Sequence, residues 1–227
     1  EADEMLVVRH RIPAAQAWAR ANTIDRVVVE GERRRLGIVT SGKAWLDVRQ
    51  ALAALGLDDA RARGLGVRVY KVGMIWPLEP DGLREFARGH EELLFVEEKA
   101  AFVEDQAAKI LYHLPEGDRP RLTGKHDDRG EALLPPDVQL DFATVALAIA
   151  RRLAALGLDD DALRDRVALL EGRLNRARGT PPGPATCTRS TRRPGSSRAG
   201  LSTSMPSGDV LSTRSGEPVR MRAARCA

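Results

Sequence analysis

An α/β fold, a three-layer sandwich around a mainly parallel sheet, is what this sequence predicts, and three observations predict it. Short apolar runs at residues 36–40, 67–75 and 92–97 alternate with stretches whose apolar residues recur at the helical period of about 3.6. The run Leu93-Leu-Phe-Val96 is continuously apolar, as a strand covered on both faces requires. The turn Thr40-Ser-Gly-Lys43 joins the first run directly to an amphipathic segment, the strand-to-helix junction of a βαβ unit.

Residues 1–35 read as a linker from a preceding domain. It holds a short helix after Pro13, at residues 14–21, and an apolar strand at residues 26–30, followed by the charged link to Arg35. The main domain is expected over residues 36–157. After Gly42, Trp45, Val48, Leu52 and Leu55 form one helical stripe, and Gly56 stops it. Residues 67–75 have strand composition, ended at Trp76-Pro77 because proline has no ladder donor. Leu83 and Phe86 mark a short helix with Asp81 as its expected cap. After the strand at residues 92–97, Val103, Ala107, Ile110 and Leu111 make the next helical stripe. Residues 119–123 fit a short edge strand, because Pro120 suits an edge. Val145, Ile149, Leu153 and Leu156 define the last helix of the domain, with Asp141 near its start. Residues 158–174 read as a charged connector helix on Leu163, Val167, Leu170 and Leu174.

The apolar content of 43% suffices for a core, and no run approaches the roughly 18 apolar residues of a membrane span. The chain starts at Glu1 without Met, so a soluble, cytoplasmic fragment is expected. The net charge of +4 is unevenly placed: residues 175–227 hold ten Arg against Asp209 and Glu217, a net of +8, which leaves −4 for residues 1–174. That tail lacks Phe, Trp, Tyr, Ile and Lys and is expected to be disordered. The two cysteines, Cys187 and Cys226, lie there without metal-ligand spacing, so neither a Cys-held metal nor an iron–sulfur cluster is expected in this chain.

Two constellations could carry chemistry. Ser41, Gly42 and Lys43 sit where a strand opens into a helix, so free backbone N–H groups and the helix dipole favour an anion there; the same glycine equally serves a tight turn. Neither nucleotide-binding glycine fingerprint is present. Glu97 and Glu98, with Glu104 and Asp105 following, fall at the carboxyl end of a strand, the edge at which open α/β sheets bind ligands. They suit capping or interdomain contacts, with Lys99 as a ready ion-pair partner, and paired acid–base work is the alternative. Catalytic residues are not identified. His10, His90, His113 and His126 have no metal-ligand spacing, and His126-Asp-Asp128 reads as a solvated loop. Trp45 and Trp76 read as core or interface fillers. The Arg-rich tail could neutralise phosphates, but it offers no aromatic or periodic element, so nucleic acid is disfavoured as a partner. A GC-rich gene read out of frame gives the same composition.

From about Val8 to Leu153 the chain resembles the large fused indolepyruvate ferredoxin oxidoreductases, in their transketolase C-terminal-like domain. The resemblance rests on Leu46-Asp-Val-Arg-Gln-Ala-Leu52 after the glycine turn and on Tyr70-Lys-Val-Gly-Met-Ile-Trp-Pro-Leu-Glu-Pro80. Phe95-Val-Glu-Glu-Lys99 with Glu104-Asp-Gln106, and Gly124-Lys-His-Asp-Asp-Arg-Gly130, complete it. It implies a homo-oligomeric parent enzyme that oxidatively decarboxylates an aryl-2-oxoacid. In such a parent, thiamine diphosphate with Mg²⁺ carries the chemistry, coenzyme A takes the acyl group, and iron–sulfur clusters pass electrons to ferredoxin. It also implies partners in other domains or subunits of that enzyme. The diphosphate motif is missing here, since Gly208-Asp209 is followed by Val210, and Pro181-Pro-Gly-Pro184 stands where the family continues into its diphosphate-binding domain. The expected role is therefore structural, with Ser41, Gly42, Lys43, Glu97 and Glu98 as interdomain or anion contacts. A free-standing α/β binding module with a basic, nucleic-acid-binding tail is the alternative.

Overall fold

Strand β2 (Leu36–Ser41) lies at the centre of one five-stranded sheet, and its first five residues are buried. The computed structural model describes residues 1–31 and 33–178, so the readings placed on residues 179–227 lie outside the described residues. β3 (Val67–Val72) and β4 (Glu92–Val96) pair with β2 on either side, both parallel, with Leu36 opposite Val67 and Glu92. β5 (Arg121–Thr123) continues the parallel sheet beyond β4. β1 (Arg26–Val29) closes the other edge antiparallel to β3, with a bulge between Val27 and Val29.

Side chains alternate across these strands, so each feeds two cores. On one face Leu36, Ile38, Val67, Val69, Leu94 and Val96 meet Val48 and Leu52 of α3 (Ala44–Ala54), Ala62 of α4 (Asp59–Leu65) and Val145, Ile149 and Leu153 of α7 (Phe142–Ala155). On the other face Val39, Tyr70, Val72, Leu93 and Phe95 meet Leu83 and Phe86 of α5 (Pro80–Ala87) and Val103, Ala107 and Leu111 of α6 (Phe102–Leu111). The result is the mainly parallel α/β sandwich that the apolar runs call for.

The strand order, β1-β3-β2-β4-β5, decides where a site can form. From β2 the chain steps outward to β3, then passes back across β2 to β4 and on to β5. With crossovers of one hand, opposite steps place their helices on opposite faces. The reversal falls between β2 and β4, so their carboxyl ends flank a crevice.

Several boundaries differ from the sequence expectation. Helix begins at α1 (Ala2–Leu6) and runs through a π-helical turn, Val7–Arg11, into α2 (Ile12–Ala21), rather than starting after Pro13. β1, assigned above to a linker ending at residue 35, is the antiparallel edge of the sheet itself; Val29 is buried in the core, which a linker would not achieve. The connector helix, α8 (Asp161–Arg178), buries Leu163 and Leu170 in the core it shares with α7. The cap of α5 is Glu79, which accepts from the N–H groups of Asp81 and Gly82, so Asp81 lies in the first turn.

Candidate functional site

The carboxyl ends of β2 and β4 bring together most of the residues singled out in the sequence. Gly42 takes a φ of +52° to turn the chain out of β2, and the space where a Cβ would lie is open. That turn aims Lys43 across the crevice. Its ammonium donates to Asp47 Oδ2 at 2.8 Å and to the Leu140 carbonyl at 2.8 Å, and pairs with Glu98 Oε1 at 3.0 Å. Two of its three N–H donors are thus used in hydrogen bonds, and Glu98 adds its charge as an ion-pair partner without accepting one. Its hydrogen bond to Asp47, and then its interaction with the Glu98 carboxylate, hold its pKa above the ordinary lysine value. An anion approaching Lys43 would meet a charge already paired with two carboxylates. What Lys43 does instead is tie the end of β4 to the start of α3.

Glu97 faces the other way. Its side-chain oxygens accept from Val103 N at 2.8 Å and Glu104 N at 3.0 Å, satisfying N–H groups in the first turn of α6. Glu97 and Glu98 thus engage separate partners and do not converge as an acid–base pair. The Glu97 carbonyl accepts from Lys125 Nζ at 2.5 Å. Lys125, just past β5, is buried, and burial lowers its pKa despite the nearby charges of Glu97, Glu104 and Glu98. Burial likewise raises the pKa of the Glu104 carboxyl, which accepts from Lys125 N at 3.3 Å. Ser41 lines a small void with Thr40, Glu97 and Val103, and the Thr40 hydroxyl there has no hydrogen-bond partner.

Sequence reasoning missed Lys125 and the Leu140 carbonyl. The first sat in the Gly124-to-Gly130 motif, which was given no site role, although a lysine at a strand's carboxyl end was the available signal. The second is a backbone group, which no residue type announces. The loop from His126 to Asp128 is pinned rather than merely solvated, because Asp128 Oδ1 pairs with Arg152 at 2.8 Å.

At the same edge of the sheet Leu46 at the start of α3, Ile75 and Trp76 after β3, and Phe102 at the start of α6 are exposed. Gln106 braces two of their segments, donating to the Ile75 carbonyl at 2.9 Å and the Phe102 carbonyl at 3.0 Å, and accepting from Leu78 N at 3.2 Å. Trp45 is half-buried against the core, so of the two tryptophans only Trp76 stands on this rim.

Comparison with known proteins adds the lineage. The sequence pattern of the indolepyruvate oxidoreductase domain matches residues 26–177, from the first strand of the sheet to the last helix. The chain belongs to the indolepyruvate oxidoreductase family. Within it, the indolepyruvate oxidoreductase subunit IorA of Pyrococcus abyssi is 37% identical over 79 residues, which is 34% of this chain and 11% of that protein. IorA of Methanothermobacter marburgensis is 34% identical over 92 residues, 40% of this chain and 14% of that protein. The matched part of this oxidoreductase domain thus spans about a tenth to a seventh of these relatives. Among solved structures, a 2-oxoglutarate:ferredoxin oxidoreductase from Magnetococcus marinus, with 2-oxoglutarate, coenzyme A and succinyl-CoA bound, is similar with a TM-score of 0.39 and 16% identity. It covers 63% of this chain and 23% of that one. A split-gene transketolase described as an inactive β4 tetramer gives a TM-score of 0.35 and 22% identity, covering 66% and 42%.

The residues of the crevice do not fit a thiamine diphosphate or its metal. A diphosphate needs a cation without its own counter-ions, and Lys43 is already paired with Asp47 and Glu98. Among the described residues no group of three or more His, Cys, Asp or Glu could hold a metal ion. No described helix of this oxidoreductase domain is long and apolar enough to cross a membrane.

Proposed function

We propose that this chain is one α/β piece of a thiamine-diphosphate-dependent indolepyruvate ferredoxin oxidoreductase, and that the piece is a scaffold. The parent reaction is oxidative decarboxylation of an arylpyruvate to its acyl-CoA, with electrons passed to ferredoxin in the cytoplasm. Thiamine diphosphate, Mg²⁺, iron–sulfur clusters and coenzyme A belong to other parts of that enzyme, which is a homo-oligomer. The family membership supports the reaction class.

One observation carries the scaffold role: at the carboxyl ends of the strands Lys43 is paired with Asp47 and Glu98, and Leu46, Ile75, Trp76 and Phe102 at the same edge of the sheet are exposed. Exposed apolar residues gathered at one sheet edge mark a surface that another domain covers. Ser41, Gly42, Lys43, Glu97 and Glu98 shape that edge from within and hold it rigid.

The test is assembly. Co-expressed with the remainder of an indolepyruvate oxidoreductase, the chain should copurify with it. Trp76→Asp or Phe102→Asp should weaken that association while leaving the fold's thermal stability unchanged. The isolated chain, given thiamine diphosphate, Mg²⁺, coenzyme A, indolepyruvate and an electron acceptor, should not turn over. Turnover by the chain alone, or copurification indifferent to both substitutions, refutes the scaffold role.

A further inference from the structure

One helical run leads from Ala2 through the π-helical turn to Ala21, and only its second half is anchored to the sheet. There Ala19 is buried and Gln16 donates to the Leu78 carbonyl at 2.9 Å. Over residues 3–11 no side chain is buried. Met5, Leu6 and Val8 are 48%, 41% and 58% exposed, and with the partly buried Val7 they make four consecutive apolar residues. Four in a row go once round a helix of 3.6 residues per turn, so this turn is apolar on every side. A run of that kind, left in the open, marks a surface that another body covers.

The charges on either side of it identify the cover. Glu1, Asp3 and Glu4 form an acidic block before the apolar turn, and Arg9, His10 and Arg11 form a basic block after it. All six are exposed, and none has an ion-pair or side-chain hydrogen-bond partner among the described residues. Glu4 and Arg9, the nearest opposite charges, lie beyond the three- and four-residue spacings at which side chains meet along a helix. The order acidic, apolar, basic is its own complement when reversed. Two copies laid antiparallel bring Met5 and Leu6 of each against Val7 and Val8 of the other, and set each Glu4 beside the other's Arg9. Parallel pairing would set each block against its like.

We propose that this helix pairs antiparallel with the same helix of a second copy of the chain, about a two-fold axis passing near Leu6 and Val7. The paired stretch of about 12 residues is about 18 Å long. It buries less than the roughly 1,600 Å² of a standard interface, so the dimer is weak and exchanges freely with monomer. The pairing is independent of the scaffold role, whose rim of Leu46, Ile75, Trp76 and Phe102 lies on the sheet's carboxyl edge.

Sedimentation equilibrium of the whole chain tests it, with a reductant present so that Cys187 and Cys226 form no cross-link. A monomer–dimer equilibrium is expected. Leu6→Asp should weaken it about tenfold or more without shifting thermal unfolding, because Leu6 lies outside the core. The decisive comparison uses two charge-changed chains. Arg9→Glu with Arg11→Glu makes both blocks acidic, and Asp3→Lys with Glu4→Lys turns the first block basic. Each alone should stay monomeric at concentrations where the unchanged chain dimerises, and an equimolar mixture of the two should restore the dimer. An unchanged chain that is still monomeric at millimolar concentration overturns the proposal and leaves the apolar turn to another domain. A dimer that Leu6→Asp or either charge change leaves intact also overturns it, because the copies then meet elsewhere. So does a mixture that stays monomeric.

Discussion

Arg152 of α7 grips Glu92, the first residue of β4, through two hydrogen bonds of 2.6 and 2.7 Å in a region sealed from solvent. Thr123 of β5 donates to the same carboxylate at 3.0 Å, and Asp128 pairs with Nη2 of the guanidinium, which Glu92 also engages. A single buried arginine thus joins a helix, two strands and the loop after β5. Removing it leaves the Glu92 carboxylate in the core with only the Thr123 hydroxyl and Arg121, 3.7 Å away, a loss of up to about 3–5 kcal/mol. Arg152→Met should therefore lower the urea midpoint strongly. The double substitution Glu92→Leu with Arg152→Met should recover much of that loss, since neither charge then remains buried.

Glu97 illustrates a carboxylate at a ligand-binding edge that is spent on architecture. Its two hydrogen bonds to the first turn of α6 match those of a helix cap, although Ala101, the residue in the capping position, contributes no side-chain bond. Glu97→Ala should cost about 1–2 kcal/mol in chemical unfolding. Glu97→Gln keeps one acceptor oxygen and should cost less. An equal loss from both would show that the charge near the helix terminus, not the hydrogen bonds, matters.

His90 makes stability depend on pH. Burial, then the charge of Arg68 and that of Arg34, push its pKa down from 6.5 to about 4. The folded state thus holds the neutral imidazole, while the unfolded chain takes up a proton below about pH 6.5. Stability from this group is complete above pH 6.5 and is lost as pH falls from there to about 4, a total of about 3 kcal/mol. Burial raises the Asp25 and Glu104 carboxyl pKa values, so those groups act in the opposite sense at low pH. The comparison to make is between wild type and His90→Gln. Their difference in unfolding free energy should change by about that amount between pH 7 and pH 4.

The elements with strong apolar periodicity were legible in the sequence: β2, β3, β4, and the stripes of α3, α6 and α7. Helix α4 was not, because only Ala62 of its seven residues is buried, although Asp58 accepting from Arg61 N and Gly66 in the left-handed region are ordinary start and stop signals. The membership of β1 in the sheet was hidden because antiparallel pairing with β3 depends on a contact 40 or more residues away. The candidate edge was readable from strand ends alone, and Lys43 with Glu98 did meet there. The pairings of Arg152 with Glu92 and of Arg68 with Glu30 were not readable, since a charged residue in a sequence does not show whether its partner lies in water or across a core.

Two glycines, Gly37 within β2 and Gly42 in the turn after it, separate the reasons for which glycine is needed. At Gly37 an added Cβ would lie 2.5 Å from Leu93 Cδ2 and 2.9 Å from Phe86 Cε1, in the middle of a packed core layer. At Gly42 nothing stands within 4 Å of that position, but φ is +52°. Gly37→Ala is thus an overpacking change costing about 1–3 kcal/mol. Gly42→Ala is a backbone change costing about 1–2 kcal/mol. Asparagine tolerates the left-handed region, so Gly42→Asn should recover part of the loss at position 42, while Gly37→Asn, larger and polar, should be worse than alanine. Unfolding curves of the four variants decide it: the order Asn above Ala at 42 and Ala above Asn at 37 is expected, and the same order at both sites would mean that one cause governs the two positions.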